Sequence, residues 1–561
     1  MKSSAFRGGK SILVSTMAVA VAVVPVRGED AAIDRVFRED RGELTTDMAA
    51  DAVIINVVED MKRPISRFIT GTGMPYHFVA LRVDRFPVAE GSPTPEELIR
   101  KLGITMLRFP HGLYGQTYFW DNDDWTYEAT NRGYARECRK DWWHTDDFIG
   151  FCRRLGIEPL LQVNTQTLYD PQLKRTRVFR QVSDGGKPED WLAAARRVKT
   201  PSPQMLRSIE IMADYAAKWV QYVNVEKKYG VRYWEIGNED WDNPYLYRHV
   251  VEIFSRKMRQ VDPSIVLIAQ YLVPIFAAWA KGRWAFDHAE WESQAYAYGG
   301  WVDYLAVHRY WAGIKELPTE SRLKGTIAGG WSDAAVRAVR PLKPVALTEW
   351  NTAEVSMNVF RHTHADALTA ASRLNALVRD DVKIGIVHDL MKYAWGLLWQ
   401  RTTPSGTVWR QMPTSRAFEL FNRHRGTHLV TYGQTGAASN YIVMKDKKRL
   451  LVIYVNAQPQ PVSIDLDVGA LAKIGQEHAV LTTLTGKVLL GDEYEKWFTL
   501  GQPRPGNRIE KLLDEHPERI EEQQMKVSGK GSFHFDLPAW TVGYLSVPGK
   551  QDIPSGQGSD R

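Results

Sequence analysis

The chain has 561 residues, 44% of them hydrophobic and 25% charged, with 72 basic against 66 acidic side chains and a net charge of +6. This composition excludes a disordered, collagen-like or membrane-embedded protein, and the dispersed charge gives no electrostatic case for nucleic acid. Two cysteines, Cys138 and Cys152, are too few for a disulfide scaffold, a cysteine-rich zinc site or an iron–sulfur centre.

From the N-terminus, Lys2, Arg7 and Lys10 precede an apolar run over residues 11–26. A basic segment followed by a short apolar one predicts a signal peptide over 1–28, with an uncleaved anchor as the alternative. Both place the working chain outside the cytoplasm, secreted or periplasmic, where a Cys138–Cys152 bridge is chemically permitted. No later run reaches the roughly 18 apolar residues of a membrane span, so no membrane insertion of the mature protein is expected. Residues 29–67 form an N-terminal segment whose stretches 52–55 and 57–58 read as strands available to the β-sandwich at the other end of the chain.

From residue 68 short apolar strands alternate with longer amphipathic segments. The predicted strands are 67–70, 104–109, 158–164, 232–238, 265–270, 303–308, 344–349 and 393–399. Eight such units predict an α/β fold, a (β/α)8 TIM barrel spanning 68–424. Between them, Thr94-Pro95-Glu96-Glu97 carries a capping threonine, a proline at the first helical position and a glutamate at the third. Gly103 closes that helix, and Gly156 and Gly230 stand where later helices need left-handed caps. Long helices are predicted over 205–228 and 365–378. Beyond 425 the pattern becomes closely spaced strands at 439–444, 450–456, 460–466, 479–483, 531–537 and 540–547. These predict a C-terminal β-sandwich over 425–548. The charged stretch 503–525 reads as a surface loop or short helix, and 549–561 as a disordered tail.

The chemistry sits at strand ends. Trp234-Glu235-Ile236-Gly237-Asn238-Glu239 closes the fourth predicted strand, and Leu347-Thr348-Glu349-Trp350-Asn351 closes the seventh. Active sites of such barrels are built at the C-terminal ends of the strands. A carboxylate on each of two strands facing across the mouth is what glycosidic cleavage requires, one group donating a proton and the other attacking the anomeric carbon. The alternative is a pair of ordinary rim carboxylates. Of twenty tryptophans, Trp120, Trp125, Trp241, Trp311, Trp350, Trp395 and Trp399 fall at or after strand ends, where indole faces stack on sugar rings. Asp121, Asp123 and Asp124 lack a full calcium-loop pattern, and no phosphate-binding loop or dinucleotide fingerprint occurs, so no cofactor and no metal are expected.

Tyr233-Trp-Glu-Ile-Gly-Asn-Glu239 together with Thr348-Glu349-Trp350-Asn351 resembles clan A of the retaining (β/α)8 glycoside hydrolases. Within it, the segments 219–224, 230–239 and 158–164 resemble family 51, the α-L-arabinofuranosidases. The resemblance implies Glu239 as acid/base, Glu349 as nucleophile and Asn238 as the residue holding the substrate 2-hydroxyl. It extends to His308 and Tyr310 at the end of strand six, with Tyr310 donating to Glu349. Arg108 at the end of strand two is expected to neutralise Glu349 and lower its pKa. His111, Asn164, Trp350 and Trp395 are the further candidate substrate ligands. The chain departs from family 51 where a Gly-Gly-Asn segment after strand two is replaced by Pro110-His111-Gly112-Leu113, and where a sugar-binding glutamate near strand one gives way to residues 70–77. The expected partner is a plant or algal polysaccharide or oligosaccharide. α-L-arabinofuranosides lead, and a xylosidase, galactosidase or endo-acting relative is the alternative.

Finally, residues 166–200, after strand three, carry eight lysines and arginines, Arg175 and Arg177 among them, against four acids. The expectation is a solvated loop, or a wall that contacts an acidic polysaccharide through arginine forks.

Overall fold

The computed structural model describes residues 53–57, 63–74, 83–121, 143–165, 167–170, 175–178, 198–240, 243–272, 286–310, 318–332, 334–351, 362–391, 396–436, 438–468, 478–497, 508–526 and 531–548. The predicted signal segment, the tail and Cys138 lie outside these residues. Cys152 is a buried free thiol.

Two short strands, β1 (Val53–Asn56) and β2 (Arg63–Pro64), precede the barrel. Eight parallel strands then close on themselves: β3 (Phe68–Gly73), β4 (Met106–Phe109), β5 (Glu158–Val163), β8 (Tyr233–Ile236), β9 (Val266–Gln270), β10 (Tyr304–Tyr310), β11 (Val345–Asn351) and β12 (Ile384–Val387). A hairpin of β6 (Thr167–Asp170) and β7 (Arg175–Val178) follows β5. The intervening helices are α1 (Pro95–Leu102), α2 (Thr145–Leu155), α3 (Pro203–Val220), α4 (Pro244–Val261), α5 (His288–Tyr298), α6 (Glu320–Ser332), α7 (Ala334–Val339), α8 (His364–Arg379) and α9 (Pro413–His424). At the start of α1, Thr94 and Glu97 cap one another reciprocally and Gly103 ends the helix left-handed, as the local sequence dictates.

The eighth strand corrects the sequence reading. It is Ile384–Val387, entered straight from α8, and not 393–399. The β-rich residues further on form β13 (Leu398–Thr403), which turns back through Pro404-Ser405 to pair antiparallel with β14 (Gly406–Gln411). Four apolar residues suffice for a barrel strand buried on both faces, whereas the later stretch runs from buried Leu398 and Trp399 out to exposed Arg401 and Thr402 and suits a hairpin.

The barrel interior is layered. Met106, Leu160, Tyr233, Ile268, Ala306, Ala346, Ile384 and Ile386 fill its lower part. Two residues further along their strands, Arg108, Gln162, Glu235, Gln270 and His308 are buried above that apolar plug. Alternation along a strand returns the same face every second residue, so a polar layer over an apolar one follows directly.

The C-terminal strands are β15 (His428–Thr435), β16 (Ser439–Lys445), β17 (Arg449–Asn456), β18 (Val462–Asp467), β19 (His478–Thr485), β20 (Arg519–Lys526), β21 (Ser532–Leu537) and β22 (Thr541–Pro548). They make a seven-stranded sheet, β2-β15-β16-β17-β22-β19-β20, and a three-stranded sheet, β1-β18-β21. Leu450, Val452, Ile464, Leu466, Phe533 and Leu545 belong to the core between the sheets. Helices α10 (Gly491–Glu495) and α11 (Arg508–Glu515) lie between β19 and β20. The charged stretch read as a loop or short helix is therefore α11 followed by strand β20. Among the described residues that strand pairs only with β19, and an edge strand open to solvent accommodates charge. Among the described residues no helix is long and apolar enough to cross a membrane.

Candidate active site

Glu349 enters the barrel mouth through an irregularity of β11. Along the β10–β11 ladder, Val307 pairs with Leu347 but His308 pairs with Glu349, so Thr348 is the extra residue of a bulge. Ala346 points into the barrel core. Simple alternation would aim Thr348 inward and Glu349 outward; the bulge re-aims them. Trp350 then faces away, buried and stacked on Phe418 of α9 at 5.7 Å.

Arg108, fully buried on β4, organises the mouth. Its Nε donates to Glu235 at 2.5 Å, Nη1 to Glu349 Oε1 at 2.7 Å and Nη2 to Asn238 Oδ1 at 2.9 Å. Tyr310 OH donates to the other oxygen of Glu349 at 2.6 Å. His308 places Nδ1 3.0 Å from Glu239 Oε1 and 3.5 Å from Glu349 Oε2. One carboxylate oxygen of Glu239 lies within 4.8 Å of one on Glu349. Glu235, a residue that sequence reasoning missed, accepts from Arg108 and from Gln270 at 2.6 Å. It is the counter-charge that makes a fully buried guanidinium tolerable.

These neighbours set the charge states. Burial opposes ionisation of Glu349, but His308, His388 and Arg108 outweigh it and hold the carboxyl well below its usual range. Burial likewise opposes charge on His308, yet Glu349 and Glu239 hold its imidazole above its ordinary value. A second imidazole pair lies beside the nucleophile. Arginine has only donors, so His111 Nδ1, 3.0 Å from Arg108 Nη1, is an acceptor. His111 then carries its proton on Nε2 and donates to Nδ1 of His388. Burial above all keeps His111 well below the usual imidazole range, so its ring is neutral. His111, His388 and Asp389 approach one another closely enough for a cation, as do Glu239, His308 and Glu349. In the first group, however, the facing imidazole nitrogens are engaged with each other and with the Arg108 cation.

A family model described as the α-L-arabinofuranosidase 1 domain matches residues 98–308. The chain is 24% identical over 361 residues to an intracellular exo-α-(1→5)-L-arabinofuranosidase of Streptomyces lividans. That match covers 56% of this chain and 48% of the relative, so the chain spans about half of that protein's length. In three dimensions it matches the family 51 α-L-arabinofuranosidase of Thermotoga petrophila RKU-1 with a TM-score of 0.57 at 17% identity, over 88% of this chain and 99% of that one. The likeness is one of fold, a (β/α)8 barrel resembling those of family 51. The same architecture extends to a bifunctional glucanase-xylanase from a metagenome library, with a TM-score of 0.57, 14% identity, and 89% and 99% of the two chains covered.

Within this family 51-like barrel, Arg108, His111, Asn238, Glu239, His308, Tyr310 and Glu349 come together at one mouth, and Asn164 is buried at the end of β5 beside it. Trp350 does not join them, because the bulge turns it toward α9. Trp120 packs on Tyr215 and Tyr222, and Trp399 is buried with Met412 and Ile509, so neither reads as a sugar platform. Trp125, Trp241, Trp311 and Trp395 lie outside the described residues, as do residues 179–197 of the basic loop. His388 escaped the sequence reading because the eighth strand was placed beyond it; the signal was the apolar 384–387 run ending in His388-Asp389.

Proposed function

We propose that this chain is a retaining O-glycoside hydrolase acting by double displacement, with α-L-arabinofuranosides as its lead substrates. The observation that carries the reading is the approach of the Glu239 and Glu349 carboxylates to within 4.8 Å, with Glu349 held ionised. Retaining enzymes use a separation of about 5–5.5 Å, whereas inverting ones need about 6.5–9.5 Å to admit a water between the groups. Glu349 attacks the anomeric carbon while Glu239 gives its proton to the departing oxygen, leaving a glycosyl ester on Glu349. Glu239, now a base, takes a proton from water, and the resulting hydroxide displaces Glu349 from the anomeric carbon. Asn238, fixed by Arg108, holds the 2-hydroxyl. The arabinofuranoside assignment rests on the matched family model and on the activity named for the Streptomyces relative.

Proton NMR of the nascent sugar tests the mechanism: the substrate's anomeric configuration is expected first, and the opposite anomer overturns it. Glu239→Gln and Glu349→Gln should each lose turnover, and wild-type rates in either refute the assignment. A panel of nitrophenyl glycosides tests the sugar. Turnover of a pyranoside with none of an arabinofuranoside would favour a second reading, a β-glycosidase or endo-acting enzyme of the same clan. The observation behind that reading is the His111 imidazole, bonded to the same Arg108 guanidinium that grips the nucleophile.

A further inference from the structure

Glu239 stands on an unusual piece of backbone. β8 ends at Ile236, Gly237 adopts a φ of 78° and Glu239 itself a φ of 51°, in the left-handed region that a glutamate avoids. Something outside the strand must hold that conformation. The peptide on one side and the side chain on the other are tied to the same group. Gln116 Nε2 donates to the carbonyl of Asn238 at 3.0 Å and to Asp240 Oδ2 at 3.1 Å. Gln116 Oε1 accepts from Thr165 N at 2.9 Å, and Thr165 Oγ1 donates to Asp240 Oδ2 at 2.6 Å. All three side chains are buried. Gln116 comes from the loop after β4, Thr165 from the end of β5 and Asp240 from the loop after β8, so the cross-link ties three neighbouring strand ends together. Gly237 bears its imprint: a Cβ there would lie 1.9 Å from Asp240 Oδ2 and 2.8 Å from Thr165 Oγ1.

We propose that Gln116, Thr165 and Asp240 are positioning residues that clamp the chain on both sides of Glu239 and so aim its carboxyl at the departing oxygen. The inference rests on the glycosidase reading above and adds three residues to it. Their effect on the reacting pair passes through the backbone, by way of the Asn238 carbonyl and the Asp240 side chain. The carboxylate they aim is otherwise lightly held. Its side chain is 30% exposed, and the hydrogen bond from His308 comes from β10, two strands along the barrel.

The test exploits the leaving group. A dinitrophenyl glycoside departs with little help from an acid, whereas a sugar alcohol needs the proton. kcat/KM, which stops at the first irreversible step, is therefore compared for dinitrophenyl α-L-arabinofuranoside and an α-linked arabino-oligosaccharide. Thr165→Val keeps the shape and removes the hydroxyl; Thr165→Ser keeps the hydroxyl. Asp240→Asn provides an independent break. A misplacement near 1 Å costs about a hundredfold, within the contribution of a general acid. Thr165→Val and Asp240→Asn are expected to lose about ten- to a hundredfold on the oligosaccharide and less than about threefold on the dinitrophenyl substrate, with Thr165→Ser near wild type. Equal losses on the two substrates, or none on either, overturn the clamp while leaving the glycosidase reading intact. A wild-type chain that turns over no glycoside overturns both.

Discussion

At the residue scale, the mouth is governed by side chains that constrain one another. Gly73 closes β3 against the His111 ring: a Cβ at that position would lie 2.2–2.4 Å from three imidazole atoms. Gly73→Ala is therefore expected to destabilise by about 1–3 kcal/mol through overpacking. In a His111→Ala background the same change should be nearly neutral, and a denaturation double-mutant cycle with a coupling below about 0.5 kcal/mol would refute the account. Tyr310 tests the nucleophile. Activity requires ionised Glu349, whose carboxyl is held low, so the acid limb of kcat/KM should fall below the ordinary carboxylate range. Tyr310→Phe removes the 2.6 Å bond to Glu349 and should move that limb to higher pH; an unmoved limb counts against the bond. The two glutamates, Arg108 and Tyr310 were legible because strand ends and a familiar motif mark them. Gln116, Thr165 and Asp240 were not, because their importance lies in which loops the closed barrel brings together.

At the element scale, local rules decided the helices better than the strands. The capping box at Thr94 is complete within four residues and forms as read, so Thr94→Ala should cost about 1 kcal/mol in a chemical melt. kcat should not change, since α1 starts well away from the chemistry in sequence and contact. A larger loss, or any loss of turnover, would mean that α1 supports the site. Strands were placed to within a residue where an apolar run is flanked by turns, as with 158–164 for β5 and 265–270 for β9. They were misread where burial on both faces shortens the run, as in β12, or where an edge position admits charge, as in β20. The β11 bulge was invisible for a related reason: nothing in Ala346-Leu347-Thr348-Glu349 announces which residue the neighbouring ladder will skip.

At the scale of the whole molecule, barrel and sandwich share one apolar core. It runs from Leu107, Leu161 and Trp234 on the outer barrel faces through α8 to Ile442, Leu451, Ile453 and Tyr544 of the large sheet. Every residue of α8 is buried. Polar ties cross the same boundary: Asn440 Nδ2 donates to Ser372 Oγ at 2.8 Å, and His364 Nε2 donates to the carbonyl of Trp540 at 2.8 Å. Calorimetry should therefore show one transition, and two resolved transitions would refute the coupling. Acid and alkali should erode stability from opposite sides. The contribution of Glu349, whose folded pKa is depressed, is present above its ordinary value of 4.5 and lost as pH falls through the folded one. The contribution of His308, whose folded pKa is raised, is present below 6.5 and lost as pH rises through the folded one. Tm should thus be highest between those two values, and His308→Gln should shrink the alkaline decline. An unchanged decline would show that His308 is not its source. The enclosure of α8 has one more consequence. A helix with no face toward solvent cannot release its amide protons by breathing at the surface, so its mid-helix amides, around Leu374, should exchange with deuterium only when the entire chain opens and serve as a clock for global unfolding.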